Sequence, residues 1–234
     1  MRPSRPVKIA VLIPCYNEEV TITKVVHSFK RELPQAEVYV FDNGSTDRTA
    51  QRANKAGAIV RREDRLGKGY VVQSMFQQVE ADVYVMIDGD GTYQASEVHR
   101  VIKPIICQQA GMVIGARWMK DSHSKARVVN LLGNRLFRMM VNTLFGIRLN
   151  DVLSGYRAFS HEFVKGVELT GGGFETEVEL TIKAALGGWR IVEVPVSLTR
   201  RPRDSRSKIK VLRDGMVILS TILSLFYESS YPAL

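Results

Sequence analysis

Val83-Tyr84-Val85-Met86-Ile87-Asp88-Gly89-Asp90-Gly91 sets an apolar run directly before two carboxylates separated by one glycine. The run has the length and composition of a buried strand, and Asp-Gly supplies the turn chemistry that ends it. A second stretch follows the same plan, with Val38-Tyr39-Val40-Phe41 leading into Asp42-Asn43-Gly44-Ser45-Thr46-Asp47. Around these two, runs of strand length alternate with stretches of helical period from residue 7 to about 115. That alternation predicts an α/β domain, a mainly parallel sheet with helices on both faces. Strands are expected at 7–13, 37–41, 58–61, 83–87 and 112–115, and helices near 18–31, 46–56, 68–79 and 95–109. Gly57 sits where a helix C-cap belongs, and Pro104 should kink or restart the last helix.

Beyond 115 the alternation weakens. A polar loop at 117–126 precedes a long amphipathic helix with Val128, Leu132, Leu136, Met139, Met140 and Leu144 on its packed face. Then come a short strand near 156–159, the cluster Gly171-Gly172-Gly173, a helix at about 175–186 closed by Gly187-Gly188, and a strand at 190–198. The second half reads as a lid and platform laid against the first.

With 234 residues, 45% of them hydrophobic and 24% charged, the chain suits one globular domain with its own core. Cys15 and Cys107 stand far from each other and from any clustered His, so neither a zinc site nor a disulfide framework is suggested, and a reducing cytoplasm fits. The first residues run straight into the apolar segment 7–13, which is too short and too charged for a signal-peptide core. The apolar stretch 215–227 falls short of the ~20 residues a membrane span requires. A net charge of +9 suits nucleic acid, anionic lipid or a phosphorylated substrate. The densest basic run, 200–208, directly precedes the amphipathic segment 209–227, the arrangement of a membrane-surface anchor, although a solvated loop beside a core helix fits the same residues. No aromatic stacking platform accompanies the run, which argues against nucleic acid.

Open parallel sheets bind ligands beyond the carboxyl ends of their strands, and both acidic motifs fall there. Carboxylates two apart across a glycine can both turn outward and offer hard oxygen ligands to Mg²⁺ or Mn²⁺, which would neutralise a departing diphosphate. One isolated Asp-Gly pair is most simply a turn, but turns do not require two such motifs after strands of one sheet. Ser45-Thr46-Asp47 is well explained as a helix N-cap with an acidic first turn. Gly67-Lys68-Gly69 lacks the spacing of a P-loop.

Six motifs now stand in order: Val11-Leu12-Ile13-Pro14-Cys15-Tyr16-Asn17-Glu18-Glu19, the 42–47 block, Gly67-Lys68-Gly69, Asp88-Gly89-Asp90, Gly115-Ala116-Arg117, and Asp151-Val152-Leu153-Ser154-Gly155-Tyr156-Arg157. Together they resemble the family 2 glycosyltransferases with the GT-A fold, and within them the dolichyl-phosphate mannose synthases and bacterial polyprenyl-phosphate glycosyltransferases. The resemblance implies that Pro14, Tyr16 and Glu18 line a nucleotide pocket and that Asp42 accepts a ring N–H of uracil or guanine. It implies that Asp88 and Gly89 lie by the ribose and phosphates, that Asp90, with Asp88, holds Mg²⁺ or Mn²⁺, and that Lys68 and Arg117 face phosphate charge. Arg201, Arg203, Ser207 and Lys208 resemble a mobile Arg…Ser-Lys segment that closes over phosphate, a task bidentate Arg suits.

Asp151 matches a position often given the role of base. A phosphate monoester has a second pKa of about 6 and is largely a dianion at neutral pH, so a strong base is not needed. Base, orienting group and cap of the Ser154-Gly155 turn all remain open for Asp151. The Gln-x-x-Arg-Trp motif of transferases acting on polysaccharide hydroxyls is absent, since Arg117-Trp118 lacks the glutamine. In its region stands Gly173-Phe174-Glu175-Thr176-Glu177.

The expectation is therefore a metal-dependent inverting glycosyltransferase that moves a sugar from a UDP- or GDP-linked donor to polyprenyl phosphate. One GT-A domain would comprise a nucleotide-sugar half (1–116), an acceptor half (117–208) and a C-terminal amphipathic helix (209–234). It would sit in the cytoplasm at the inner face of the membrane, through that helix or a membrane partner subunit, without nucleic acid and with oligomerisation left open. The alternative is a saccharide or other hydroxyl acceptor in cell-surface polysaccharide synthesis, with Asp151 as a true base. A non-catalytic basic protein that binds nucleic acid or lipid through 200–208 is the third reading.

Overall fold

Each strand-length apolar run of the first half forms a strand: β1 (Ile9–Cys15), β2 (Glu37–Asp42), β3 (Ile59–Arg62), β4 (Val83–Met86) and β5 (Met112–Trp118). The computed structural model describes residues 6–118, 125–199, 201, 202, 208 and 210–230. Strands β6 (Arg157–Ser160) and β7 (Ile191–Ser197) complete a seven-stranded sheet in the order β3-β2-β1-β4-β6-β5-β7. Its pairings are parallel except those of β6, which runs antiparallel to both β4 and β5.

The helices are α1 (Ile22–Glu32), α2 (Thr49–Lys55), α3 (Lys68–Gln78), α4 (Val98–Ile106), α5 (Lys125–Leu144), α6 (His161–Gly166), α7 (Thr176–Leu186) and α8 (Val211–Ser230). Ile22, Val25, Val26 and Phe29 are the buried stripe of α1, at the spacing that puts apolar residues on one helical face. Successive strand residues point to opposite sheet faces, so Val11 and Ile13 join one core with α1 and α4. Ala10 and Leu12 join a second core on the other face with α3, α7 and α8. Burial on both faces is why the strands read as continuous apolar runs rather than alternating ones.

Two expectations change. Pro104 does not restart its helix; α4 passes through it and stops at Ile106. Gln108 takes a left-handed conformation, φ 55°, which ends the helix short of 109. The second half is also not simply laid against the first. β6 enters the sheet between β4 and β5, with all four of its residues buried. The expected polar loop lies outside the described residues at 119–124.

This topology brings the motifs to one edge. The carboxyl ends of β1, β2, β4, β5 and β7 share a direction, and the antiparallel β6 begins where they end. Residues 14–18, 42–47, 88–93, 117, 151–156, 199, 201 and 202 therefore meet along one rim, which is where open α/β sheets bind ligands.

Candidate active site

The loops after β1 and β2 are stitched together by their polar residues. Asn43 N donates to the Cys15 carbonyl at 2.8 Å. Asn17 N donates to Ser45 Oγ at 2.9 Å, Thr46 N to Asn17 Oδ1 at 2.8 Å, and Glu18 N to Thr49 Oγ1 at 2.8 Å. Asn17 takes a left-handed conformation, φ 53°, which asparagine tolerates better than most residues. Asp47 lies one residue before the N-cap of α2, Arg48, rather than in its first turn; it accepts from Thr49 N at 2.8 Å and from Glu19 N at 3.1 Å, so it braces two loops at once. On this frame Asp42 is buried. Its Oδ2 accepts from Ser45 N at 3.3 Å, while its Oδ1 is buried without a hydrogen-bond partner. Glu18 is buried, Pro14 is half-buried and Tyr16 is exposed.

The acidic turn is anchored at both ends. Ile87 N donates to the Leu12 carbonyl at 3.0 Å, and Thr21 Oγ1 donates to the Gly89 carbonyl at 2.7 Å. Asp90 Oδ1 accepts from Thr92 N and Oγ1, at 2.9 and 2.7 Å, and its Oδ2 faces the Arg201 guanidinium. Asp88 Oδ1 lies 2.6 Å from Lys68 Nζ. Its Oδ2 rests on Gly155, where an added Cβ would come within 2.1 Å of it. Lys68 lies between Asp88 and Glu177, 2.5 Å from Glu177 Oε1. Burial alone would pull the Lys68 ammonium toward neutrality, but the two carboxylates outweigh it and hold its pKa above the ordinary lysine value.

At the end of β5, Arg117 grips Asp151 with Nε to Oδ2 at 2.6 Å and Nη2 to Oδ1 at 2.8 Å, and its backbone N adds a third bond at 3.1 Å. Burial would raise the Asp151 pKa; the guanidinium reverses that and holds it below the ordinary aspartate value. Asp151 does not cap the Ser154-Gly155 turn. It accepts instead from Leu153 N at 3.2 Å. Tyr93 does hold that turn, accepting from Gly155 N at 3.1 Å and lying 3.3 Å from Ser154 Oγ, and burial pushes its phenol pKa up to about 12. Arg157, wholly buried, donates to the Val152 and Ser154 carbonyls at 2.9 Å each.

The rim therefore gathers Pro14, Tyr16, Glu18, Asp42, Lys68, Asp88, Gly89, Asp90, Arg117, Asp151, Arg201 and Lys208. Lys208 Nζ bonds Glu18 Oε1 at 2.9 Å and the Asn17 carbonyl at 3.0 Å. Arg203 and Ser207 lie outside the described residues. Sequence reasoning gave no role to Tyr93, Arg157 or Glu177. Tyr93 is close to the acidic turn in sequence, but what marks it is a contact with residues about sixty positions away. No group of three or more His, Cys, Asp or Glu able to hold a metal occurs among the described residues.

The architecture is that of a GT-A glycosyltransferase. Glucosyl-3-phosphoglycerate synthase from Mycobacterium tuberculosis, crystallised with Mn²⁺, UDP and glucosyl-3-phosphoglycerate, superposes with a TM-score of 0.78 over 97% of this chain and 86% of that one, at 23% identity. By sequence the chain belongs to glycosyl transferase family 2, whose profile matches residues 10–167, and it is a glycosyltransferase. Among its relatives, glycosyltransferase AglJ of Haloferax volcanii is 34% identical over 91% of this chain and 70% of its own length. The dolichyl-phosphate hexose transferase of the same organism is 30% identical over 94% of both chains.

Proposed function

We propose that the protein transfers a hexose from a UDP- or GDP-linked donor to a polyprenyl phosphate, with inversion, using Mg²⁺ or Mn²⁺. The observation that carries the donor site is the unpartnered buried Oδ1 of Asp42, on the same rim as Asp88 and Asp90. Leaving such an oxygen unsatisfied costs on the order of 1–3 kcal/mol. A ring N–H of uracil or guanine supplies the missing donor. Pro14, Tyr16 and Glu18 then form the walls of the base pocket.

Asp88 and Asp90 suit a divalent ion. Both are hard oxygen donors, each already faces a cationic side chain, and ions of this kind are usually held by one or two carboxylates plus substrate phosphates and water. When bound, the ion would supply positive charge to the leaving diphosphate. Arg201, Lys208 and the segment between them, with Arg203 and Ser207, would close over the phosphates.

The dolichyl-phosphate hexose transferase among the relatives supports a lipid phosphate as acceptor. An acceptor phosphate oxygen attacks the anomeric carbon, the bond to the diphosphate oxygen breaks, and the configuration inverts. The acceptor is largely a dianion at neutral pH, with a second pKa of about 6, so no proton has to be removed. Asp151 then serves to orient Arg117 toward phosphate rather than to act as a base.

No helix of the described residues is long and apolar enough to cross a membrane. Leu212, Met216 and Tyr227 of α8 are 87%, 69% and 65% exposed on one helical face, and Lys210 and Arg213 are exposed beside it. That stripe suits peripheral contact with the cytoplasmic face of a membrane or with a membrane partner subunit.

Incubation with Mn²⁺ or Mg²⁺, labelled UDP- and GDP-sugars and polyprenyl phosphate should yield an organic-extractable product. Asp90→Ala should abolish it and leave the circular dichroism unchanged. A water-soluble product, or turnover that survives the substitution, would overturn the reading.

A further inference from the structure

The glycine loop 171–173 docks onto the glycines that flank Lys68. Gly69 N donates to the Gly172 carbonyl at 3.1 Å. Gly67 holds φ +140°, and a Cβ there would come within 2.0 Å of the Gly172 oxygen; one on Gly69 would come within 2.1 Å of the Gly171 oxygen. Only glycine permits both the approach and the positive φ. The loop is fixed in turn by α7 and the residue before it. Glu179 accepts from Thr170 N and Gly171 N at 2.8 and 2.9 Å, and Glu175 accepts from Gly173 N at 2.7 Å. Two buried glutamates thus hold one backbone against another, and the third, Glu177, is aimed at Lys68.

The arrangement Asp88–Lys68–Glu177 has a consequence for charge. A lysine with Asp88 as its only carboxylate would neutralise it. Shared with Glu177, the ammonium leaves the pair of acidic groups with one net negative charge. Arg157 adds a buried positive charge near Glu177, but it directs its hydrogen bonds to the Val152 and Ser154 carbonyls and to Thr181. Whatever that background, loss of the Glu177 charge makes the surroundings of Asp88 more positive by one unit, in a region where solvent screening is weak.

We infer that Glu177 is a positioning residue for the metal site: it shares Lys68 with Asp88, so that the ammonium does not cancel the charge that carboxylate offers to a divalent cation. The inference rests on the proposal that Asp88 and Asp90 hold the ion, and it assigns to Lys68 the tuning of Asp88 rather than contact with phosphate.

The test is the affinity for Mn²⁺ itself, measured on the full chain from the electron paramagnetic resonance signal of free Mn²⁺, with and without UDP. Glu177→Gln keeps the shape of the side chain and should weaken Mn²⁺ binding about tenfold or more. Adding Lys68→Met to it removes one charge of each sign and should restore the affinity to within about threefold of the native protein. Lys68→Met alone should tighten Mn²⁺ binding several-fold. If Glu177→Gln does not fold, the Lys68→Met variant still decides: unchanged or weaker Mn²⁺ binding overturns the inference. Equal Mn²⁺ affinity in the native protein and folded Glu177→Gln overturns it as well. Should the native chain itself bind no Mn²⁺, or Asp90→Asn bind it undiminished, the metal assignment falls, and this inference with it.

Discussion

Arg117 and Asp151 meet through two guanidinium nitrogens and both carboxylate oxygens, at 2.6 and 2.8 Å, across the gap between the end of β5 and the loop before β6. A carboxylate held this way is a poor base. Its pKa lies below the ordinary aspartate value because the guanidinium overcomes the cost of burial. The pH profile of kcat/KM should therefore show no limb from Asp151 near neutrality. It should fall only as the acceptor phosphate dianion is protonated to the monoanion, near pH 6. Asp151→Asn should lower activity by about tenfold to a hundredfold without shifting that limb, since it removes the charge and the seat that hold Arg117. A shift of the limb in steady-state assays would restore the base role.

Asp42→Asn tests the donor pocket. The amide cannot serve as a charged acceptor, and hydrogen bonds to charged groups contribute about 1.5–3 kcal/mol, so UDP or GDP affinity should drop about tenfold to a hundredfold. Isothermal titration in the presence of Mn²⁺ measures it. Thermal stability should hold or rise, because the variant removes a buried charge with one unpartnered oxygen.

Gly155→Ala tests the seat of Asp88. The new methyl would lie 2.1 Å from Asp88 Oδ2, so the carboxylate must move. Activity should fall about a hundredfold, the scale expected of a misplacement near 1 Å. Base binding through Asp42 on the neighbouring strands should survive, which competition by UDP in a fluorescence assay would reveal.

Glu63 predicts an acid-sensitive brace beneath the nucleotide loops. Its pKa is lowered from 4.5 to about 2 by Arg65, against the cost of burial, with help from Ser74. A group with a depressed folded pKa stabilises the protein above its unfolded value and loses that contribution as pH falls through the folded one. The native protein should therefore melt above Glu63→Gln at pH 6, and the difference should shrink between pH 4.5 and pH 2. A constant difference across thermal scans in that window would refute the linkage.

The strands of the first half, the parallel character of the sheet and the acidic turns after β2 and β4 are legible in the residues alone. These are local: apolar runs, helical spacing and turn residues act on their near neighbours, so each can be read in a short window. That β6 enters the sheet, that Arg117 closes on Asp151, and that Lys68 lies between Asp88 and Glu177 emerge from the folded chain. Gly67-Lys68-Gly69 is equally compatible with a phosphate and with a carboxylate partner. The choice depends on where the Gly171–Gly173 loop and α7 come to rest, and that is set by chain topology and burial over long sequence separations, where local pattern carries no information.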